Sequence, residues 1–293
     1  MDIQNNRFRP IGFAFIPLVA LIIFVVIFVG RKIQIKLLWD TVEVAQEQKD
    51  STARIEALEK LVKADNTLNN IPLNDVDFSS VNLEDADLED TDLKSANLER
   101  TKLERANLKD AKLTSANLTS ADLTSANLTS ADLTSANLIN ANLSSANLSS
   151  ANLSSANLRE AHLQGANLSS TNFSSANLQD ANLQGANLQG ANITSAKLNN
   201  VNLHGVNLEG VNIKSANLEY ANLEHANLED TDLKSTNLLG ANLQGANLEN
   251  ANLQDAQNLT LQKLKAAKNW EKACYDPEFR KQLGLPPGNP SQC

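Results

Sequence analysis

The chain has 293 residues and a net charge of −9; 42% of it is hydrophobic but only 4% aromatic. The acidity disfavours nonspecific nucleic-acid binding, which relies on Lys and Arg against phosphate. The apolar content is mostly Leu and Ala, which excludes a mixed, aromatic-filled core, and the cysteines Cys274 and Cys293 make no CxxC pair and no zinc spacing.

A short N-terminal tail (1–10) leads into Ile11 to Gly30, IGFAFIPLVALIIFVVIFVG, which carries no charge. Twenty residues at about 1.5 Å each span roughly 30 Å, the hydrocarbon thickness of a bilayer. A transmembrane helix is expected over 11–30, with Pro17 tolerated inside it. A cleaved signal peptide would have a shorter apolar region and a small-residue cleavage site. Here the run meets Gly30, Arg31 and Lys32 without an A-x-A pattern, so an uncleaved anchor is the better reading. Arg7, Arg9 and the amino terminus on one side nearly balance Arg31, Lys32 and Lys36 on the other. The expectation leans to a repeat domain on the cytoplasmic side, in keeping with Cys274 and Cys293 read as unpaired thiols; the alternative, a disulfide between them, requires a compartment that is not reducing.

Residues 31–70 read as a helical stalk and N-terminal cap. The segment Ala53 to Ala64, ARIEALEKLVKA, is rich in helix formers, and Ile55, Leu58, Leu61 and Val62 share one face. Asp50 and Ser51 can cap its start; Asn66 and the Asn69-Asn70 pair supply stop signals. The heptad pattern fails at Gln48 and Ser51, which weakens a coiled coil. The helix is expected to pack on the open lower end of the segment that follows, which would otherwise expose apolar surface and unpaired backbone.

From 71 to 255 the chain is one five-residue unit, as in ANLTS ADLTS ANLTS ADLTS from Ala116 to Ser135. Central residues run from Phe78 to Leu253 in steps of five, giving 36 units, and all are Leu except Phe78, Phe173, Ile193 and Ile213. The residue two before the centre is Ala, Val or Thr throughout. A period of five is neither a helix stripe nor a strand alternation; it is a repeat architecture with two inward positions per unit and three facing water. The motif A-(N/D)-L-x-x resembles the pentapeptide repeat family. That resemblance implies an all-β solenoid, a right-handed, four-sided β-helix with one unit per side and twenty residues per coil, about nine coils here. At the spacing of neighbouring strands, nine coils stand roughly 43 Å tall. High-copy, near-consensus repeats of this kind look like those common in cyanobacteria.

Twenty-residue stacking makes specific pairs. Glu89 is expected beneath Lys109, Asp85 beneath Arg105, and Asp92, Lys112 and Asp132 in one ladder. Phe173, Ile193 and Ile213 are expected to stack on one side, with Val201, Val206 and Val211 adding bulk nearby. Gly165, Gly185, Gly205 and Gly245 fall at one corner, where a type II turn needs positive φ.

Residues 256–293 read as a C-terminal helical cap and tail. Thr260 can cap a helix running to about Cys274, Asp276-Pro277 can start a second, and Gly284 can end it. Trp270, Tyr275 and Phe279 supply aromatic bulk. Some pentapeptide repeat proteins form homodimers through this end, which is the alternative to a lid.

No Ser-His-Asp set, glycine-rich phosphate loop or ligand cluster stands out, so no catalytic, cofactor-binding or metal-binding residue is assigned and an enzyme is not expected. His162, His204 and His225 project from one side and lack a convincing third ligand. Thr114, Thr119, Thr124, Thr129 and Thr134 circle the column, so they make no flat ice-binding plane. Glu209, Glu229 and Glu249 form a like-charge stripe, with Lys214 and Lys234 on the next side to offset it; this stripe is the candidate docking face for an unknown protein partner. The function expected is a membrane-anchored, non-enzymatic scaffold. The alternative is a DNA-mimicking inhibitor of a type II topoisomerase, which some acidic members of the resembled family are. The charge-poor middle, Leu113 to Leu158, and the anchor depart from that pattern.

Overall fold

The computed structural model describes residues 37, 40, 51–64 and 73–290. The expected span at 11–30 and most of the 31–70 stalk, including the capping residue Asp50, lie outside the described residues. Among the described residues no helix is long and apolar enough to cross a membrane.

The repeat segment forms a β-helix whose period is twenty residues. Each residue just before a centre pairs in parallel with its equivalent one coil on, from Asp77 with Asn97 to Asp232 with Asn252. We number the coils 1 (76–95) to 9 (236–255), and the sides 1 to 4 by the centres Phe78, Leu83, Leu88 and Leu93. Three backbone bonds per unit hold the stack. Leu118 N donates to Asn137 O at 2.7 Å, Ser120 N to Ile139 O at 2.8 Å, and Asn117 N to Ala96 O at 2.9 Å. The corner is a tight turn closed by Ala121 N on Leu118 O at 3.0 Å.

The corner's positive φ is not a glycine property. Gly165 has φ +66°, but Ser120, Asp85 and Arg105 hold φ of 56°, 57° and 56° at the same position. A left-handed conformation costs a non-glycine residue about 1 kcal/mol. The preceding Asx turn offsets that cost: Asn117 Oδ1 accepts from Thr119 N at 3.2 Å and from Thr119 Oγ1 at 2.6 Å.

The interior is a filled channel. Leu centres and inner Ala residues are almost all within 1% of complete burial, and they join with Ala57, Leu58 and Leu61 into one apolar cluster. Each buried Leu contributes on the order of 1.5–3 kcal/mol. Inner threonines are satisfied rather than orphaned. Thr101, Thr171 and Thr231 donate across a coil to Phe78 O, Leu148 O and Leu208 O at 2.9, 2.8 and 2.7 Å. Thr91 and Thr236 instead donate within their own turn, to Leu88 O and Leu233 O.

At the lower end, α1 (Ser51–Ala64) buries Ala57, Leu58 and Leu61, and its Glu59 carboxylate accepts from Asn82 N at 3.4 Å. At the upper end the single helix expected from Thr260 to Cys274 is not formed. α2 covers only Leu261–Ala266, with Thr260 as its N-cap, and a 3-10 turn covers Trp270–Lys272. Before and after that turn the chain returns to the coil path: Leu248 N donates to Lys268 O at 2.9 Å and Leu253 N to Cys274 O at 2.8 Å. The reason is the open backbone edge of coil 9, whose donors and acceptors need partners more than the segment needs helix. Lys263 Nζ closes another part of that edge on Leu238 O at 2.7 Å, and burial lowers its pKa from the usual lysine value. α3 (Pro277–Gln282) follows, and Asp276, at its start, spends its carboxylate on Asp255 N at 2.8 Å.

The reading of two unpaired thiols is also corrected. Cys274 is buried and disulfide-bonded; Cys293, the other cysteine of the chain, lies outside the described residues.

Candidate interaction surface

The column is filled, so functional groups must lie on its outer faces. Side 3 carries Glu209, Glu229 and Glu249 one above another in coils 7, 8 and 9. Each carboxylate takes a side-chain amide from one turn higher: Asn227 Nδ2 to Glu209 at 3.3 Å, Asn247 Nδ2 to Glu229 at 3.1 Å, and Asn269 Nδ2 to Glu249 at 3.3 Å. Lys272 Nζ adds an ion pair to Glu249 at 2.6 Å. Lys234, expected to offset the stripe, instead faces Asp255 at 3.7 Å. Glu209 and Glu229 are therefore held by neutral amides, and Glu249 by an amide and an ammonium. Nothing in the five-residue pattern singles these amides out, although the eighteen residues from Glu209 to Asn227 and from Glu229 to Asn247 are a legible spacing once a coil is twenty residues long.

These amides belong to longer ladders. On side 3, Asn127 donates to Asn107, Asn167 to Asn147 and Asn227 to Asn207. The same asparagines accept from the backbone two residues on, as Asn107 does from Lys109 N, Asn167 from Ser169 N and Asn207 from Glu209 N. One side chain thus closes a turn and ties two coils.

The lower coils carry paired charge. Lys109 meets Glu89 at 2.7 Å and Arg105 meets Asp85 at 2.8 Å, as stacking predicts, and Arg105 also reaches Glu84 at 2.5 Å, which stacking places under Glu104 instead. The Arg105 hydrogen bond lowers the Asp85 pKa, and hydrogen bonds from Lys109 and Asn107 lower that of Glu89. Glu104 moves the other way, raised chiefly by its contact with Asp122. Asp92, Lys112 and Asp132 do form one vertical ladder. Asp132 is pushed up by burial, but hydrogen bonds from Thr134 and Thr114 outweigh that and lower it.

The threonines of coil 3 are committed internally. Thr119, Thr124, Thr129 and Thr134 donate to Asn117, Asp122, Asn127 and Asp132, and accept from Asn137, Asn142, Asn147 and Asn152 above. His204 and His225 stand edge to face with centroids 5.8 Å apart, and Glu224 is 3.7 Å from His225. Among the described residues no group of three or more His, Cys, Asp or Glu side chains can hold a metal ion. A cavity of about 240 Å³ lies in the C-terminal segment against Tyr275, Arg280, Leu285 and Pro286. Its Arg280 is already spent on Pro286 O at 2.7 Å and Ala273 O at 3.3 Å.

Two family models match the chain. One, described as a pentapeptide repeat region, covers residues 136–213; the other, described as pentapeptide repeats in eight copies, covers 73–110, 111–149 and 216–255. Together they leave only two residues unmatched between 73 and 255. Among solved structures the chain is similar to HetL, a pentapeptide repeat protein involved in heterocyst differentiation regulation from the cyanobacterium Nostoc. Identity is 35% over 65% of this chain and 93% of that one, with a TM-score of 0.31. It is similar to QnrB1, a plasmid-mediated fluoroquinolone resistance protein, at 17% identity over 62% and 92%, with a TM-score of 0.41. It is also similar to Rfr23, from the cyanobacterium Cyanothece, at 41% identity over 36% and 62%, with a TM-score of 0.17. A comparison with curated protein sequences gave no match.

Proposed function

From the premise that the chain belongs to the pentapeptide repeat family, we propose that it is a non-enzymatic, membrane-anchored scaffold of cyanobacterial type that presents a rigid column to a protein partner. The span at 11–30 anchors it, the stalk and α1 close the lower end of the column, and the C-terminal segment closes the upper end. The observation that carries the reading is the stripe Glu209, Glu229 and Glu249, held in register by Asn227, Asn247 and Asn269. Three carboxylates at fixed spacing on a flat side recognise a basic surface, and charge complementarity of this kind sets specificity and encounter rate.

A photo-crosslinking residue at Glu229 in living cells tests it, with Ser149 on the same side as control. A partner captured from 229 and not from 149, and lost on changing all three Glu to Gln, is the expected result. No capture from 229 ends the acidic-face reading.

The disulfide at Cys274 favours an oxidising compartment. We therefore read the repeat column as lying on the non-cytoplasmic side, against the orientation expected from the flanking charge. Alkylation of acid-quenched cells before reduction, read by mass, tests this: a Cys274 already alkylated before reduction returns the column to the cytoplasm.

The topoisomerase-inhibitor reading differs in its outcome. Potent inhibition of gyrase supercoiling by the detergent-solubilised full chain supports it and sinks the scaffold reading. The middle of the column argues against it, since residues 113–158 carry two Asp and no Glu, Lys or Arg, too few anions to mimic a phosphate backbone.

A further inference from the structure

The hydrogen-bond ladder is continuous along the column except at one junction. Between coil 6 (176–195) and coil 7 (196–215), five bonds that every other pair of neighbouring coils makes fall outside hydrogen-bond geometry. They are Gly185 N to His204 O, Leu188 N to Asn207 O, Gly190 N to Glu209 O, Asn207 N to Ala186 O, and Asn212 N to Ala191 O. The parallel register of Asn187 with Asn207 and of Asn192 with Asn212 is kept, so the ladder is weakened here without slipping. Four of the five lie on side 3 or at its two corners, and the fifth, Asn212 N to Ala191 O, lies at the start of side 4 just past the second corner. Sides 1 and 2 keep their bonds, with Leu178 N on Lys197 O at 2.8 Å and Leu183 N on Asn202 O at 3.0 Å, and the rest of side 4 stays closed, with Ile193 N on Asn212 O at 2.8 Å. Asn187 and Asn207, half-buried equivalents of which line the ladder elsewhere on this side, are both exposed here. Ala186 rises to 5% exposure, against 1% for Ala166 below it and 1% for Val206 above.

The sequence supplies the cause. Coil 7 is the one coil with Val at three successive inner positions, Val201, Val206 and Val211, where its neighbours have mostly Ala. Two extra methyls per position overfill a channel sized for Ala and force the coils apart. The corners offer no resistance. Gly185, Gly190, Gly205 and Gly210 bracket side 3 in both coils, and a Cβ at Gly185, Gly205 or Gly210 would meet no atom within 4 Å.

We propose that this junction is a hinge. Coils 1 to 6 form one rigid block, coils 7 to 9 with the C-terminal segment form another, and they tilt against each other by opening and closing side 3. The upper block carries the acidic stripe, so the hinge sets the angle at which Glu209, Glu229 and Glu249 meet a curved or mobile partner. The glycine corners leave the parted backbone groups to water, so opening costs little.

Two measurements on the full chain in nanodiscs test this. In hydrogen exchange, the amides of Gly185, Leu188, Gly190, Asn207 and Asn212 are expected to exchange at least about tenfold faster than their equivalents one coil below, Gly165, Leu168, Ser170, Asn187 and Asn192. The triple variant V201A, V206A, V211A restores the usual inner residues and is expected to return them to the common rate. Spin labels at Ser149 and Glu229 span the junction, while labels at Lys109 and Gln189 lie four coils apart within the lower block. A broader distance distribution for the first pair, narrowing in the triple variant, is the hinge signature. Equal widths, or exchange that is uniform along the column, overturns the proposal.

Discussion

Asn247 stands one coil above Glu229 and donates one amide hydrogen bond to its carboxylate at 3.1 Å and another to Asn227 at 3.0 Å. A neutral side chain thus holds Glu229, while at the top of the stripe Lys272 pairs with Glu249. Asn247→Leu is expected to destabilise the column by about 1 kcal/mol, from the loss of ladder hydrogen bonds. Asn247→Asp is expected to cost more, because it sets a second carboxylate against Glu229. Urea unfolding of the two variants ranks them, and Asp no worse than Leu would sink this account of the stripe.

The corner glycines are not equivalent. A Cβ at Gly205 would have no atom within 4 Å, whereas one at Gly240 would collide with the Tyr220 ring, which lies over it. Serine is the commonest corner residue, as at Ser125 and Ser135 with φ of 57°. Gly205→Ser is therefore expected to change stability by no more than about 0.5 kcal/mol. Gly240→Ser is expected to swing Tyr220 off the column, visible as a changed tyrosine emission, and an unmoved Tyr220 signal refutes it.

The lower coils are expected to respond to acid through two opposite shifts. Asp85 and Glu89 have lowered pKa values through Arg105 and Lys109. The stability they contribute is present above the ordinary carboxylate range and is lost as pH falls through their folded values. Glu104, raised beside Asp122, gives stability at low pH that is lost as pH rises through its folded value. Carboxyl carbon shifts followed by NMR should show Glu89 titrating at lower pH than Glu104, although the two side chains are chemically identical. Lys109→Gln should bring Glu89 back up, and an unchanged Glu89 curve would rule out the ion pair as the cause.

Cys274→Ser removes the disulfide from the C-terminal segment. The loss of a disulfide is typically about 2–4 kcal/mol, and it should fall on the upper coils alone. Faster amide exchange in coil 9 with coils 1 to 5 unchanged is the expected pattern. Uniform loosening of the whole column would contradict it.

The sequence by itself determined the period and the inward pair of each unit, and with the twenty-residue coil that the family resemblance implies it also placed Glu89 under Lys109, because that coil turns spacing into contact. It also determined the acidic stripe, since Glu209, Glu229 and Glu249 are twenty apart. Only the tertiary structure decided how Glu229 is held, because an Asn side chain can donate up a ladder or into water with no change in its local pattern. It decided too that residues 267–274 leave the helix for the coil path, since the open edge of coil 9 is a partner that no local propensity encodes. The junction at side 3 shows the limit most plainly. Val201, Val206 and Val211 signal added bulk in the sequence, but which side yields depends on where Gly185, Gly190, Gly205 and Gly210 leave the corners unsupported, and that is a property of the stacked coils.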